Sequence, residues 1–96
     1  VRVLWTEAAL RQLEAIRDYH AQTSPEYARR IAERLVNRSE RIAAFPHSGR
    51  MVPEYEIDEV RQVSESSYRI IYLIKETQVE ILAVIHTSRK GLPQED

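Results

Sequence analysis

The chain has 96 residues, 14 Lys and Arg against 15 Asp and Glu for a formal net charge of −1, and no cysteine. That length suits one compact domain and is too short for two. The missing thiols exclude a disulfide framework, a zinc–thiolate site and a cysteine nucleophile. No apolar run approaches the roughly 18 residues of a membrane span, and the N-terminus has no charged-then-apolar signal profile, so a cytoplasmic protein is expected. Residues 1 to 45 carry eight arginines against six acids, and residues 46 to 96 carry six Lys and Arg against nine acids. A protein that grips a nucleic-acid backbone usually shows a clear basic excess, and this chain does not.

Val1 to Trp5 reads as a short apolar strand, and Thr6 as the N-cap of the helix that follows. Ala9, Leu10, Leu13, Ile16 and His20 recur at helical spacing and predict a buried stripe, with the helix ending near Ala21 to Thr23. Ser24-Pro25-Glu26 predicts a second helix start: Ser caps free amides, Pro has no amide to lose at the first position, and Glu complements the dipole. Through Ala44 the residues Ala28, Ile31, Ala32, Leu35, Ser39, Ile42 and Ala43 form one stripe. Arg30, Arg34, Arg38 and Arg41 border it on one side and Glu26, Glu33 and Glu40 on the other, a pattern that most often marks a solvated face.

Phe45-Pro46 stops this helix, because the residue before proline is pushed out of the α region. His47 to Asp58 is expected to be a loop, held on the sheet by Met51, Val52, Tyr55 and Ile57. Val60 to Thr87 then contains three runs dense in β-branched and aromatic residues, separated by polar breaks at Ser64 to Ser67 and Lys75 to Gln78. This is the pattern of a three-stranded antiparallel meander. In the second run Arg69 alternates with Ile71 and Leu73 on one face, where a charge needs a carboxylate partner or an open binding surface. The expected fold is α+β: a short N-terminal strand, an antiparallel helix pair, then the meander, with the helices on one sheet face and the other face free for docking. Residues 1 to 96 make a single domain with a short polar tail from about residue 89.

The run Tyr68-Arg-Ile-Ile-Tyr, the strand ending Val84-Ile-His-Thr-Ser-Arg89 and the upstream Phe45-Pro-His-Ser-Gly-Arg50 together resemble the RelE/ParE superfamily of toxins from bacterial toxin–antitoxin systems. Trp5-Thr-Glu-Ala-Ala and the Ser24-Pro start fit the same pattern. In the RNA-cleaving branch an arginine on this strand contributes to the active site, and Arg69 matches it; Arg89 stands where a further basic residue is often found. That branch is strongly basic, with several site lysines and often a tyrosine near the C-terminus. Here the lysines are Lys75 and Lys90, and no tyrosine follows Tyr72. The ParE-like branch is therefore the closer match. It implies a toxin that inhibits DNA gyrase, acts by binding and not by covalent chemistry, and is neutralised in a hetero-oligomer by a cognate antitoxin. Under that resemblance Arg50, Arg61, Arg69, His86, Arg89 and Lys90 are expected to contact target or antitoxin.

The alternative is a metal-independent, ribosome-dependent mRNA endonuclease, in which His86 moves a proton while Arg69 and Arg89 stabilise phosphorane charge. Against it stands the plainer reading of His86 as a strand histidine satisfied by a hydrogen bond, and of Arg69 as a structural cation. His20, His47 and His86 lack metal-ligand spacing, and Gly49 and Gly91 make no phosphate loop. Neither a metal nor a cofactor is expected. Trp5 is expected in the core, and Tyr19 and Tyr27 at the surface of the helix pair.

Overall fold

Residues 1 to 88 are described by a computed structural model. The chain runs β1 (Arg2–Trp5), α1 (Glu7–Ala21), α2 (Pro25–Ala44), β2 (Arg50–Met51), β3 (Val60–Glu65), β4 (Tyr68–Ile74) and β5 (Gln78–His86). The expected meander, β3 to β5, forms the middle of a five-stranded sheet ordered β1-β5-β4-β3-β2. β1 lies parallel to β5, and every other pair is antiparallel. The first strand thus closes one edge of the meander, and a two-residue strand inside the expected 47–58 loop borders the other. β2 is too short to leave a periodic signal in the sequence.

Both helices start as their caps predict. The Thr6 hydroxyl accepts from the Ala9 amide at 3.2 Å and donates to the Ile81 carbonyl at 2.8 Å, so one side chain caps α1 and fastens it to β5. Ser24 accepts from the Tyr27 amide at 3.1 Å, with Pro25 as the first residue of α2. In α2 the stripe turns inward, with Ile31, Leu35, Ser39 and Ile42 fully buried and Ala32 partly exposed at its border. Ser39 earns its place there by accepting the Trp5 indole N–H at 3.2 Å while donating to the Val36 carbonyl at 2.6 Å. In α1 the stripe is narrower than expected. Ala9, Leu13 and Ile16 pack on the core, whereas Leu10 is left exposed, 100° around the helix from Ala9.

The sheet has an apolar cluster on each face. Tyr68, Ile70, Tyr72 and Val63 meet Ile31, Leu35 and Ile42 under the helices. On the far face Val52, Val60, Ile71, Ala83 and Ile85 form a second cluster, joined by Tyr55 and Leu73. This corrects the expectation of a free docking face: all five members of that cluster are buried. Of the residues expected to hold the 47–58 segment down, Val52 is buried and Tyr55 packs against the same cluster, but Met51 and Ile57 are exposed.

One irregularity decides which residues face which side. Tyr72 pairs with Ile81 but Ile71 with Ala83, so Leu82 is an extra residue, a β-bulge. Before it Val79 and Ile81 face the helices; after it Val84 does, and Ala83 and Ile85 face away. Past Ile81 no strand flanks β5 on the β1 side among the described residues, and there the Val84 amide donates to Gln12 Oε1 of α1 at 2.8 Å.

Candidate functional site

Arg69 sits on β4 on the face away from the helices, between cross-strand neighbours Ser64 and Ile85. Its Nη1 donates to Gln62 Oε1 at 2.7 Å, and Gln62 is itself buried. A neutral amide oxygen is thus among the partners of the Arg69 guanidinium.

His86 pairs with Tyr68 and lies on the helix side. It is exposed; its Nδ1 accepts from the Ser88 amide at 3.1 Å, and Ser88 Oγ lies 2.8 Å from the same nitrogen, which leaves the neutral ring's proton on Nε2. The Tyr68 ring stands edge-on to it, centroids 5.5 Å apart. Tyr68 in turn shares a 2.8 Å hydrogen bond with His20 Nε2 of α1, and Tyr19 and Tyr27 pack edge-on around His20. Burial raises the Tyr68 phenol above its ordinary range, with the neighbouring Tyr27 and Tyr19 adding to the shift. Alongside, Gln12, Ile16, Val84 and His86 line a cleft of about 270 Å³.

The bulge therefore separates Arg69 from His86: the two residues face opposite sides of the sheet. Were Leu82 paired in regular register, with no bulge, strict alternation from Ile81 would put His86 on the same side as Arg69. A base and a cation on opposite faces cannot act on one phosphate. Arg89 and Lys90 lie outside the described residues.

Arg61 is largely internal to the fold. Its guanidinium donates to the Asp58 carbonyl at 2.8 Å, to the Gly49 carbonyl at 3.0 Å and to Asp58 Oδ1 at 2.8 Å, tying both ends of the 49–58 segment to β3. Tyr72 completes this anchor by donating to the Pro46 carbonyl at 2.6 Å and accepting from the Gly49 amide at 3.1 Å. Burial raises the Tyr72 phenol above its ordinary range, and the Gly49 amide, Arg61 and Arg38 oppose that shift.

Arg50 is exposed on β2. With Arg38, Ser48, Gly49, Gln62 and Ser64 it lines a polar cleft of about 310 Å³. Beside it Glu65, at the end of β3, draws in three arginines of α2. Arg34 donates to Oε2 through Nε and Nη2 at 3.2 and 3.0 Å, and Arg38 and Arg41 stand 3.7 and 3.6 Å from Oε1. The basic border of α2 was visible in the sequence as helical spacing. Its acidic partner was not, because the Glu65 contact spans some thirty residues of chain.

A strand, a helix hairpin and an antiparallel meander closed by that first strand make the fold of the small toxins of the RelE/ParE group. A chain of the solved chromosomal ParDE toxin–antitoxin system from P. aeruginosa has this fold, with a TM-score of 0.74 at 21% identity, covering 90% of this chain and 95% of that one. The family model for the ParE toxin of the type II toxin–antitoxin system, parDE, matches residues 3–91, and the chain belongs to that family. It is also 36% identical over 89 residues to the toxin RelE2 of Caulobacter vibrioides, a match covering 92% of this chain and 97% of that protein. The chain is thus a toxin of a type II toxin–antitoxin system. Among the described residues no helix is long and apolar enough to cross a membrane.

Proposed function

We propose that this toxin acts in the cytoplasm by binding DNA gyrase and disturbing its DNA-cleavage cycle, and that a cognate antitoxin holds it inactive in a hetero-oligomer. The observation that supports this reading is the placement of Arg69 and His86 on opposite faces of the sheet, which separates the pair that the nuclease alternative would use together. The near-neutral charge supports it as well, since a ribosome-bound nuclease works against a polyanion. Arg50, His86 and the Arg89-Lys90 segment make the contacts with target or antitoxin, while Arg61 shapes the loop beside them and the Arg69–Gln62 pair adds a polar contact beside the apolar cluster of the far face.

The test is a parallel assay of the purified toxin freed of antitoxin. Gyrase supercoiling and DNA-cleavage products are followed in one reaction, and the integrity of ribosome-bound mRNA in another. Gyrase-linked DNA breaks with intact mRNA are expected, and His86→Ala is expected to leave mRNA intact as before. Cut mRNA with unaffected gyrase would refute the proposal and turn attention to the nuclease alternative.

A further inference from the structure

We infer that the notch where β3 runs past the end of β2 is a phosphate site, and that the phosphate it takes belongs to the backbone of the duplex DNA that gyrase cleaves. The source of that phosphate rests on the gyrase reading above; the site itself rests on geometry. Arg50, the outer residue of β2, pairs with Gln62, and among the described residues no strand borders Ser64 beyond it. The Val52 amide donates to the Val60 carbonyl, and backbone groups alternate sides along an antiparallel strand, so Val60, Gln62 and Ser64 all turn theirs toward β2. Ser64 therefore presents an amide N–H at an open edge.

Cations flank that edge from both faces of the sheet. Arg38 stands on the helix side and Arg50 on the other, yet both line one cleft of about 310 Å³ with Ser48, Gly49 and Ser64. A compact oxyanion in the notch meets a guanidinium on each side, with amide and hydroxyl donors between them, the donor set that phosphates recruit. An extended peptide suits it less, since alternate side chains of an added strand share one face. Arg38 has donors to spare: its Nε stands 3.7 Å from Glu65 Oε1 and Arg41 Nη2 stands 3.6 Å from it, both beyond hydrogen-bond distance. Glu65 thus offsets one of three positive charges and leaves two. Arg34 and Arg41, 56% and 66% exposed, lie about one turn of α2 to either side of Arg38 and extend the cationic row. A lone phosphate would leave that row unused, whereas the next phosphate of a DNA backbone meets it. The acids of the 54–59 segment lie beyond the opposite end of β3, Glu59 about 16 Å along the strand from Ser64. The near-neutral total charge confines the contact to this patch, so it supplements a protein contact with gyrase and does not replace it.

The experiment titrates an unlabelled duplex of about 12 base pairs into the purified, ¹⁵N-labelled toxin freed of antitoxin, from about 20 to about 150 mM salt, and follows the Ser64 amide and the arginine Nε–H resonances. Saturable shifts of Ser64, Arg38 and Arg50 are expected. Affinity is expected to fall with a log–log salt slope of about −2, one phosphate in the notch and one beside Arg41. Arg38→Gln with Arg50→Gln is expected to weaken binding about tenfold at low salt and bring the slope to about −1, whereas Arg11→Gln with Arg29→Gln changes affinity less than about twofold. Circular dichroism and Trp5 fluorescence check folding. Should the notch variant misfold, Arg50→Gln alone, on the exposed edge strand, is expected to weaken binding about threefold. Inorganic phosphate at matched ionic strength is expected to shift the same Ser64 amide with lower affinity than the duplex. No shift of Ser64 by the duplex, unchanged affinity in the folded notch variant, or phosphate binding as tightly as the duplex would overturn the inference. Failure of the gyrase reading is a separate result: supercoiling unaffected by the wild-type toxin, whatever its affinity for the duplex.

Discussion

At the scale of single residues, the contacts that hold the 46–58 segment to the sheet are the most exacting in the molecule. A Cβ at Gly49 would stand 2.8 Å from the Gln62 carbonyl oxygen and closer still to the Tyr72 hydroxyl. The first neighbour is backbone and the second is locked by two hydrogen bonds, so neither can yield cheaply. Gly49→Ala is therefore expected to destabilise the toxin by about 1–3 kcal/mol, the usual cost of overpacking, read as a lower urea midpoint with unchanged slope. An unchanged midpoint would show that the segment shifts freely and anchors nothing. Ser39 tests a different cost. Its replacement by Ala would strand the Trp5 indole N–H in the half-buried seam between β1 and α2, an expected loss of about 1–2 kcal/mol. Trp5 is the sole tryptophan, so its emission reports the same change directly. Ser39→Ala with native emission and stability would mean that water replaces the hydroxyl without penalty.

At the scale of elements, the caps, the α2 stripe and the three long strands were legible because each repeats a local rule several times. Thr6 and Ser24-Pro25 announce helix starts, and Tyr68 to Ile74 alternates faces as a strand should. What the sequence concealed was the phase of β5. Ile81 to Ile85 is apolar at every position, so it suits either face, and only pairing against β4 reveals the bulge at Leu82 and moves His86 to the helix side. The candidate site was obscured for the same reason: Glu65 meets α2, and Gln62 meets Arg69, through pairings no periodicity records. The β3–β4 turn carries a strain that is testable. Glu65 pairs with Tyr68, leaving a two-residue loop whose first residue, Ser66, takes φ 57°, a conformation glycine adopts without penalty. Ser66→Gly is expected to raise stability by up to about 1 kcal/mol, the size of the left-handed penalty it removes less the added chain entropy. A lower midpoint would show that the serine hydroxyl contributes more than its backbone costs.

For the whole molecule, two phenols on β4 join the sheet to both ends of the helical layer. Tyr68 reaches His20 near the end of α1, and Tyr72 reaches Pro46 and Gly49 just past the end of α2. Both are buried, and burial is the leading cause that raises each above the ordinary phenol value of 10.0. The folded state thus favours the neutral phenols more than the unfolded chain does. The stability this confers is complete below the unfolded value and is lost as pH rises through the folded values. The toxin is therefore expected to hold a constant urea midpoint from about pH 8 to 9.5, then lose at most about 2.7 kcal/mol per pH unit above pH 10, the limit for two titrating groups. Tyr68→Phe with Tyr72→Phe should begin from a lower midpoint, having lost both anchors, yet show a flatter alkaline decline. An equally steep decline in that double variant would place the alkaline weakness in groups other than these two phenols.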